Sequence, residues 1–335
     1  MRAAAVLFLA PLCFAQAPRV VGRPSQSPLV TFRLVFLTGA ADDPADRPGL
    51  ASLTAAMLAQ GGSKTMAYEQ IVEKFFPMAS SVSWQCDKEM TTFSASTHID
   101  NLDEFHGILR AMLLEPGWRA EDLKRLRDQH INALRVGLRG NNEEELGKEV
   151  LYNLIYAKHP YGHHNLGTVS SLEKIALDDL QSFYKARYTQ ANLIVGMAGG
   201  YKPEFLARVK KDFGALPPGK RAKASRPAPG KIDGLNVTII DKKTRSVAIS
   251  FGFPIDVRRG HPDYLPLLVA QSALGQHRSG RLVGLTSKGV YVVDSEKVEQ
   301  VYAAAAPVPV NCGFALVDDA VYFGSKAELW RFVLK

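Results

Sequence analysis

The stretch RPGLASLTAAMLAQGGS at residues 47–63 constrains this chain more than any other. Pro48 suits a first helical turn, where a missing N–H costs nothing. Leu50, Leu53, Met57 and Leu58 then recur at the three- and four-residue spacing of one apolar helix face. Gly61 and Gly62 end the helix where a left-handed residue is wanted. The other face carries Ser52, Ala55 and Ala56, small side chains with a single hydroxyl among the three.

Around this helix the chain alternates between two periodicities. Residues 31–38 alternate and are rich in β-formers, which predicts a strand, and 39–44 form a turn. Residues 68–75 predict a helix. Residues 82–87 and 90–98 predict two strands, with Thr91, Phe93, Ala95 and Thr97 on one side of the second. Leu102, Phe105, Leu109 and Met112 line one face of a helix over 102–114, stopped by Pro116 and Gly117. Helices over 121–138 and 143–157 and a closing strand over 192–198 complete an α+β sandwich with an antiparallel or mixed sheet. Residues 236–241 and 246–253 predict strands opening a second, similar copy, followed by a helix over 266–274. Beyond about residue 285 the texture changes. Short β-rich runs at 290–293, 298–302, 313–317, 321–323 and 329–332, with turns such as Asp318-Asp319, are similar to one β-propeller blade. A lone blade cannot bury both of its faces.

With 335 residues, 46% hydrophobic and 22% charged, the chain can bury one large core or two medium ones. Met1-Arg2 followed by an apolar run over 3–14 has the layout of a secretory signal, too short to span a bilayer, with cleavage expected after Ala15. Cys13 lacks the small preceding residue of a lipoprotein site. The expectation is an exported protein, periplasmic or secreted, with no stable membrane insertion. Cys86 and Cys312 fall in different folding units and are expected to be unpaired thiols. Much of the formal charge of +8 lies in 210–231, where Lys220, Arg221, Lys223 and Arg226 sit among prolines and glycines. That composition describes a solvated linker rather than a nucleic-acid patch, so no nucleic-acid partner is expected.

The frame GLAxLxxxMLxxG resembles the zinc helix of the pitrilysin/insulinase-type metallopeptidases, the inverted zincins. In active members it carries His-x-x-Glu-His, two histidines on one helix face holding zinc and a Glu activating the water. A second block, HPYGHHNLGT at 159–168 with Leu180, Phe183, Tyr184, Arg187, Tyr188, Asn192, Leu193, Ala198 and Gly199 after it, resembles the same family, and matched segments run in order over 31–282. The resemblance implies duplicated α/β sandwich halves of a processing-peptidase-like fold. The expected division is a signal peptide at 1–15, an N-terminal half at 20–216, a basic linker at 217–231, an incomplete C-terminal half at 232–285 and a β-rich tail at 286–335.

The departures from that family decide the functional expectation. Ser52, Ala55 and Ala56 stand at the His, Glu and His positions, and Ala133 stands where the family's third zinc ligand, a Glu, would lie. Leu126 replaces a supporting Glu. Ser83-Trp84 replaces the Asn-Ala of the edge strand that pairs with substrate, where the indole either fills the groove or packs inward. Thr286 stands at the position of a substrate-holding Arg, with Tyr291 at too short a spacing. No catalytic residue, metal or cofactor is therefore expected; zinc belongs to the active relatives. His130, one turn before Ala133, either approaches the lost ligand position or is a surface or hydrogen-bonded histidine. His159 caps or packs the turn, and His163 and His164 diverge without a carboxylate spaced to join them. The resemblance thus implies a non-catalytic subunit or pseudo-peptidase assisting peptide handling by an active partner in a heterodimer. The alternatives are a zinc metallopeptidase with rearranged ligands and a degenerate, truncated gene product.

Overall fold

The computed structural model describes residues 18–220, 230–231, 233–244, 248–257 and 259–271, and the strands 282–286, 289–293, 298–303, 314–317, 320–324 and 329–333. The leader at 1–15, with Cys13, most of the basic linker and Cys312 lie outside the described residues. Residues 1–254 and 255–335 form two separate units.

The first unit is organised on a five-stranded sheet. β1 (Arg19–Pro24), β2 (Leu29–Phe36), β3 (Ser81–Cys86), β4 (Thr91–His98) and β5 (Leu193–Gly199) lie in the order β1-β5-β2-β4-β3. β1 pairs parallel with β5 and every other pair is antiparallel. Alternation fixes which side is covered: Val30, Phe32, Leu34 and Phe36 of β2, Thr91, Phe93, Ala95 and Thr97 of β4, and Leu193, Val195 and Met197 of β5 are all buried. Aromatic packing holds this layer together. The Phe36 and Tyr188 rings lie 4.6 Å apart, and Phe36 meets Phe93 edge-on at 6.1 Å. Each such fully buried ring contributes about 1.5–3 kcal/mol.

The helices are α1 (Leu50–Gln60), α2 (Tyr68–Phe75), α3 (Leu102–Leu114), α4 (Ala120–Asn132), α5 (Glu143–Ile155), α6 (Val169–Leu172), α7 (Leu177–Arg187) and α8 (Pro203–Phe213). α4 continues into a π-helical segment, Ala133–Leu138. α1 packs against β3, α3, α4 and α7. Every residue from Leu50 to Ala59 is buried, so the helix is enclosed all round rather than along the single apolar face its periodicity suggests.

The runs at 236–241 and 246–253 differ from expectation. Their described residues carry no strand. A β-ladder needs a neighbouring backbone to take up its N–H and C=O groups, and none pairs with these runs among the described residues. Ile239, Ile249, Phe251 and Phe253 are accordingly exposed.

Among its described residues the second unit contains α9 (Tyr264–Gln271) and six strands: β6 (Leu282–Thr286), β7 (Gly289–Val293), β8 (Val298–Ala303), β9 (Phe314–Val317), β10 (Ala320–Gly324) and β11 (Leu329–Val333). They form two antiparallel three-stranded sheets, β6-β7-β8 and β11-β10-β9. Thr286 ends β6 and Tyr291 lies in β7.

Candidate functional site

The candidate site is the face of α1 that bears Ser52, Ala55 and Ala56, and its position depends on how the two ends of α1 are held. At the N-terminus the carboxylate of Asp43, with no exposed surface, accepts from the Gly49 N–H at 2.6 Å and the Ala51 N–H at 2.7 Å. An acidic group against the first N–H groups of a helix also meets the positive end of its dipole. Burial raises the Asp43 pKa to about 7, against the pull of those two N–H bonds and of Lys88. Gly49 has φ +98°, and a Cβ there would lie 2.5 Å from the carbonyl oxygen of Leu166. Gly167, with φ +83°, faces Pro48 and Gly49 just as closely, so the two sequence blocks at 47–63 and 159–168 meet glycine to glycine.

At the C-terminus the orphan carbonyls are met by cations. Arg119 donates to the Gly61 and Ser63 carbonyls at 3.1 and 2.7 Å, and Arg125 to the Gln60 carbonyl at 2.6 Å. Arg125 is steadied by the buried Asp122 at 2.7 Å. Gly62, at φ +68°, supplies the left-handed turn expected of the glycine pair.

On the face itself, Ser52, Ala55 and Ala56 have no solvent exposure at all. The Ser52 Oγ lies 3.2 Å from Nε2 of His130 on α4. The His130 Nδ1 lies 3.0 Å from the Leu126 carbonyl oxygen, which can only accept, so Nδ1 carries the proton. The half-buried indole of Trp84 stacks on the imidazole, with ring centres 6.0 Å apart and planes 5° from parallel. Trp84 therefore packs inward: Val82, Trp84 and Cys86 share the covered side of β3. Burial lowers the His130 pKa to about 4, opposed by its bond to Leu126 and aided by the nearby His164, so the ring is neutral near pH 7. Leu126 is a fully buried core residue, and Ala133 is exposed where the π segment begins.

These residues do not fit a zinc ion. Zinc in a protein site needs three or four Cys, His or carboxylate donors. Ala55, Ala56 and Ala133 offer none, and the Ser52 hydroxyl is engaged by His130. Among the described residues no group of three His, Cys, Asp or Glu is placed to hold a metal ion.

Other histidines have partners of their own. His159 accepts the Tyr161 N–H at 3.0 Å and packs against Tyr156 and Tyr161, a capping and packing role. His163 Nε2 comes within 4.0 Å of Asp43, a carboxylate 120 residues away in sequence that spacing along the chain does not bring to mind. Lys88 donates to the His163 carbonyl, and burial lowers the pKa of Lys88, His163 and His164 alike. Cys86 is buried and free, its thiol pushed up to about 12 by burial.

A five-stranded mixed sheet covered by helices, with this helix frame at its centre, defines a peptidase-like half, and the sequence comparisons assign it. Residues 19–169 match the insulinase profile (peptidase family M16) and residues 174–300 match the peptidase M16 inactive domain. The chain belongs to the M16 family, and the inactive-domain match runs past residue 285, into the short β-rich runs. An uncharacterized zinc protease of Mycobacterium bovis is 26% identical over 198 residues, 58% of this chain and 44% of that protein. The non-peptidase homolog YmxG of Helicobacter pylori is 24% identical over 259 residues, 76% of this chain and 58% of its own. The probable mitochondrial-processing peptidase subunit beta of Arabidopsis thaliana is 25% identical over 191 residues, 56% of this chain and 35% of that one. The chain thus spans about half the length of the curated relatives it matches. In fold it is similar to the peptidase M16 inactive domain from Pseudomonas fluorescens, with TM-score 0.58, 23% identity and 64% and 52% of the two chains covered. It is also similar to the periplasmic protease PqqL from Escherichia coli, with TM-score 0.55, 17% identity and 63% and 24% covered.

Proposed function

We propose that this protein is a non-catalytic member of the M16 family that binds an active metallopeptidase as a heterodimer and assists its handling of peptides. One observation carries the proposal: Ser52, Ala55 and Ala56, which the resemblance places at the zinc and base positions, and Ala133, which it places at the third ligand, offer a single polar side chain, and that one is turned to His130. A relative named a non-peptidase homolog matches three quarters of the chain, and another relative is by name one subunit of a processing peptidase. Ile249, Phe251 and Phe253, 75–84% exposed on alternate positions, supply apolar surface of the kind that partners cover. Export rests on the apolar leader and on the periplasmic fold neighbour; among the described residues no helix is long and apolar enough to cross a membrane.

Co-expression with an M16 protein from the same genome that carries an intact His-x-x-Glu-His, followed by size-exclusion chromatography with light scattering, is the test. A one-to-one complex is expected, weakened about tenfold or more by Phe251→Asp. A monomer that ignores this protein and leaves its peptidase activity unchanged in excess would overturn the partner role. Near-stoichiometric zinc after dialysis, together with peptide hydrolysis by the purified chain, would overturn the non-catalytic role.

A further inference from the structure

Loss of metal ligands from an enclosed helix face raises a packing problem. Two imidazoles and a carboxylate replaced by Ser52, Ala56 and Ala55 would leave a void, and voids in closed interiors are destabilising in proportion to their volume. Yet all three residues have no exposure, so the face is covered. The structure shows which polar contact closes it. His130 reaches across from α4 to Ser52 at 3.2 Å, its second nitrogen bonds the Leu126 carbonyl at 3.0 Å, and Trp84 of β3 lies flat against its ring. Because Nδ1–H donates to the carbonyl, Nε2 is the acceptor and the Ser52 hydroxyl is the donor. Both ring nitrogens and the hydroxyl are satisfied within the protein, as buried polar groups require.

We infer that Ser52, His130 and Trp84 form a metal-independent clasp joining α1, α4 and β3 across the face where a zinc ion would otherwise bridge α1 and α4. His130 is a positioning residue in this arrangement: it holds the two helices in register and gives the Trp84 ring a flat surface to lie on. The clasp stands whether or not a partner binds. Its two ring-nitrogen bonds leave His130 no lone pair for a metal while Ser52 is in place. The face is therefore committed to a closed state.

The test is a double-mutant cycle on the full mature chain, read by urea unfolding and tryptophan emission. His130→Phe keeps a flat ring against Trp84 but leaves the Ser52 hydroxyl without an acceptor in a closed interior. It is expected to raise the unfolding constant roughly tenfold to a hundredfold. Adding Ser52→Ala removes the orphaned hydroxyl and is expected to restore part of that loss, so the cycle is non-additive by about tenfold. Strictly additive effects would overturn the clasp. Should His130→Phe not accumulate as folded protein, Ser52→Ala alone decides: it is expected to lower the urea midpoint and shift the Trp84 emission, isolated by subtracting a Trp84→Phe control, and an unchanged midpoint and emission would overturn the inference. In a second arm, excess EDTA and then excess zinc are expected to leave the wild-type midpoint and Trp84 emission unchanged. Zinc-dependent stabilisation that disappears in His130→Phe would make His130 a ligand and end the inference. That result without peptide hydrolysis would leave the non-catalytic role standing.

Discussion

Replacing Asp43 by Asn is expected to remove a pH dependence that the wild-type chain carries between about pH 4 and 7. The Asp43 carboxylate has no exposed surface, and burial raises its pKa from 3.8 to about 7 despite its bonds to the Gly49 and Ala51 N–H groups. A folded-state pKa above the unfolded one means that the folded chain holds an extra proton across this window. The stability this supplies is fully present below the unfolded pKa and is lost as the pH rises through about 7. At about 1.4 kcal/mol per pH unit the effect is on the order of 4 kcal/mol. His106, His130, His163 and His164 act in the opposite sense, because burial lowers their pKa values and their contribution is lost on acidification. The wild-type curve is therefore composite, and only the difference between wild type and Asp43→Asn isolates Asp43. Urea unfolding of both proteins from about pH 4.5 to 8 measures it. The wild-type advantage is expected to be largest at the acid end and to shrink steadily toward pH 8. Parallel curves, or an advantage that grows with pH, would refute the reasoning, because the two N–H bonds and Lys88 would then outweigh burial and keep the carboxylate charged.

Three further outcomes follow from the same helix and its neighbours. Arg125→Ala removes the bond to the Gln60 carbonyl and leaves the buried Asp122 with only the longer Arg119 contact at 3.8 Å; a loss of about 1–3 kcal/mol is expected, partly recovered by Asp122→Asn in the same chain, both read by urea unfolding. Gly49→Ala places a Cβ 2.5 Å from the Leu166 carbonyl at φ +98°, and a loss of about 2 kcal/mol or more is expected in thermal melts followed by circular dichroism; an unchanged melting temperature would contradict the glycine-to-glycine contact. Cys86, buried with its thiol raised to about 12, is expected to resist alkylation in the native protein at neutral pH and to react in denaturant, as peptide mapping would show.

Local periodicity made much of the first unit legible. The helices over Tyr68–Phe75 and Leu102–Leu114 are the very segments their apolar spacing predicts, and the inward set of β4 is the alternating set Thr91, Phe93, Ala95 and Thr97. α8 carries a local mark as well, with Pro203 at its start and Phe205, Val209 and Phe213 at four-residue spacing. β1 had no local mark to find, because it is a strand through its parallel pairing with β5, more than 170 residues later. The runs at 236–241 and 246–253 show the converse. Alternation makes a segment able to be a strand, but only a paired neighbour makes it one.

That Ala55, Ala56 and Ala133 carry no donor atom, and Ser52 only a hydroxyl, was determined by the sequence alone, because whether a side chain can bind a metal is a property of its atoms and needs no geometry. What those side chains meet was decided only in the tertiary structure. The Ser52–His130 bond joins residues 78 apart, and it exists because α1 and α4 pack with those two positions facing. Trp84 could have stood on either side of the sheet; the register of β3 against β4, pairing Trp84 with Phe93, puts it on the covered side and against His130. Asp43, Arg119 and Arg125 carry no local mark of a role in the chain, yet they cap both ends of α1. Helix rotation and strand register set all of these contacts, and both are fixed by how the whole core packs rather than by any one segment of sequence.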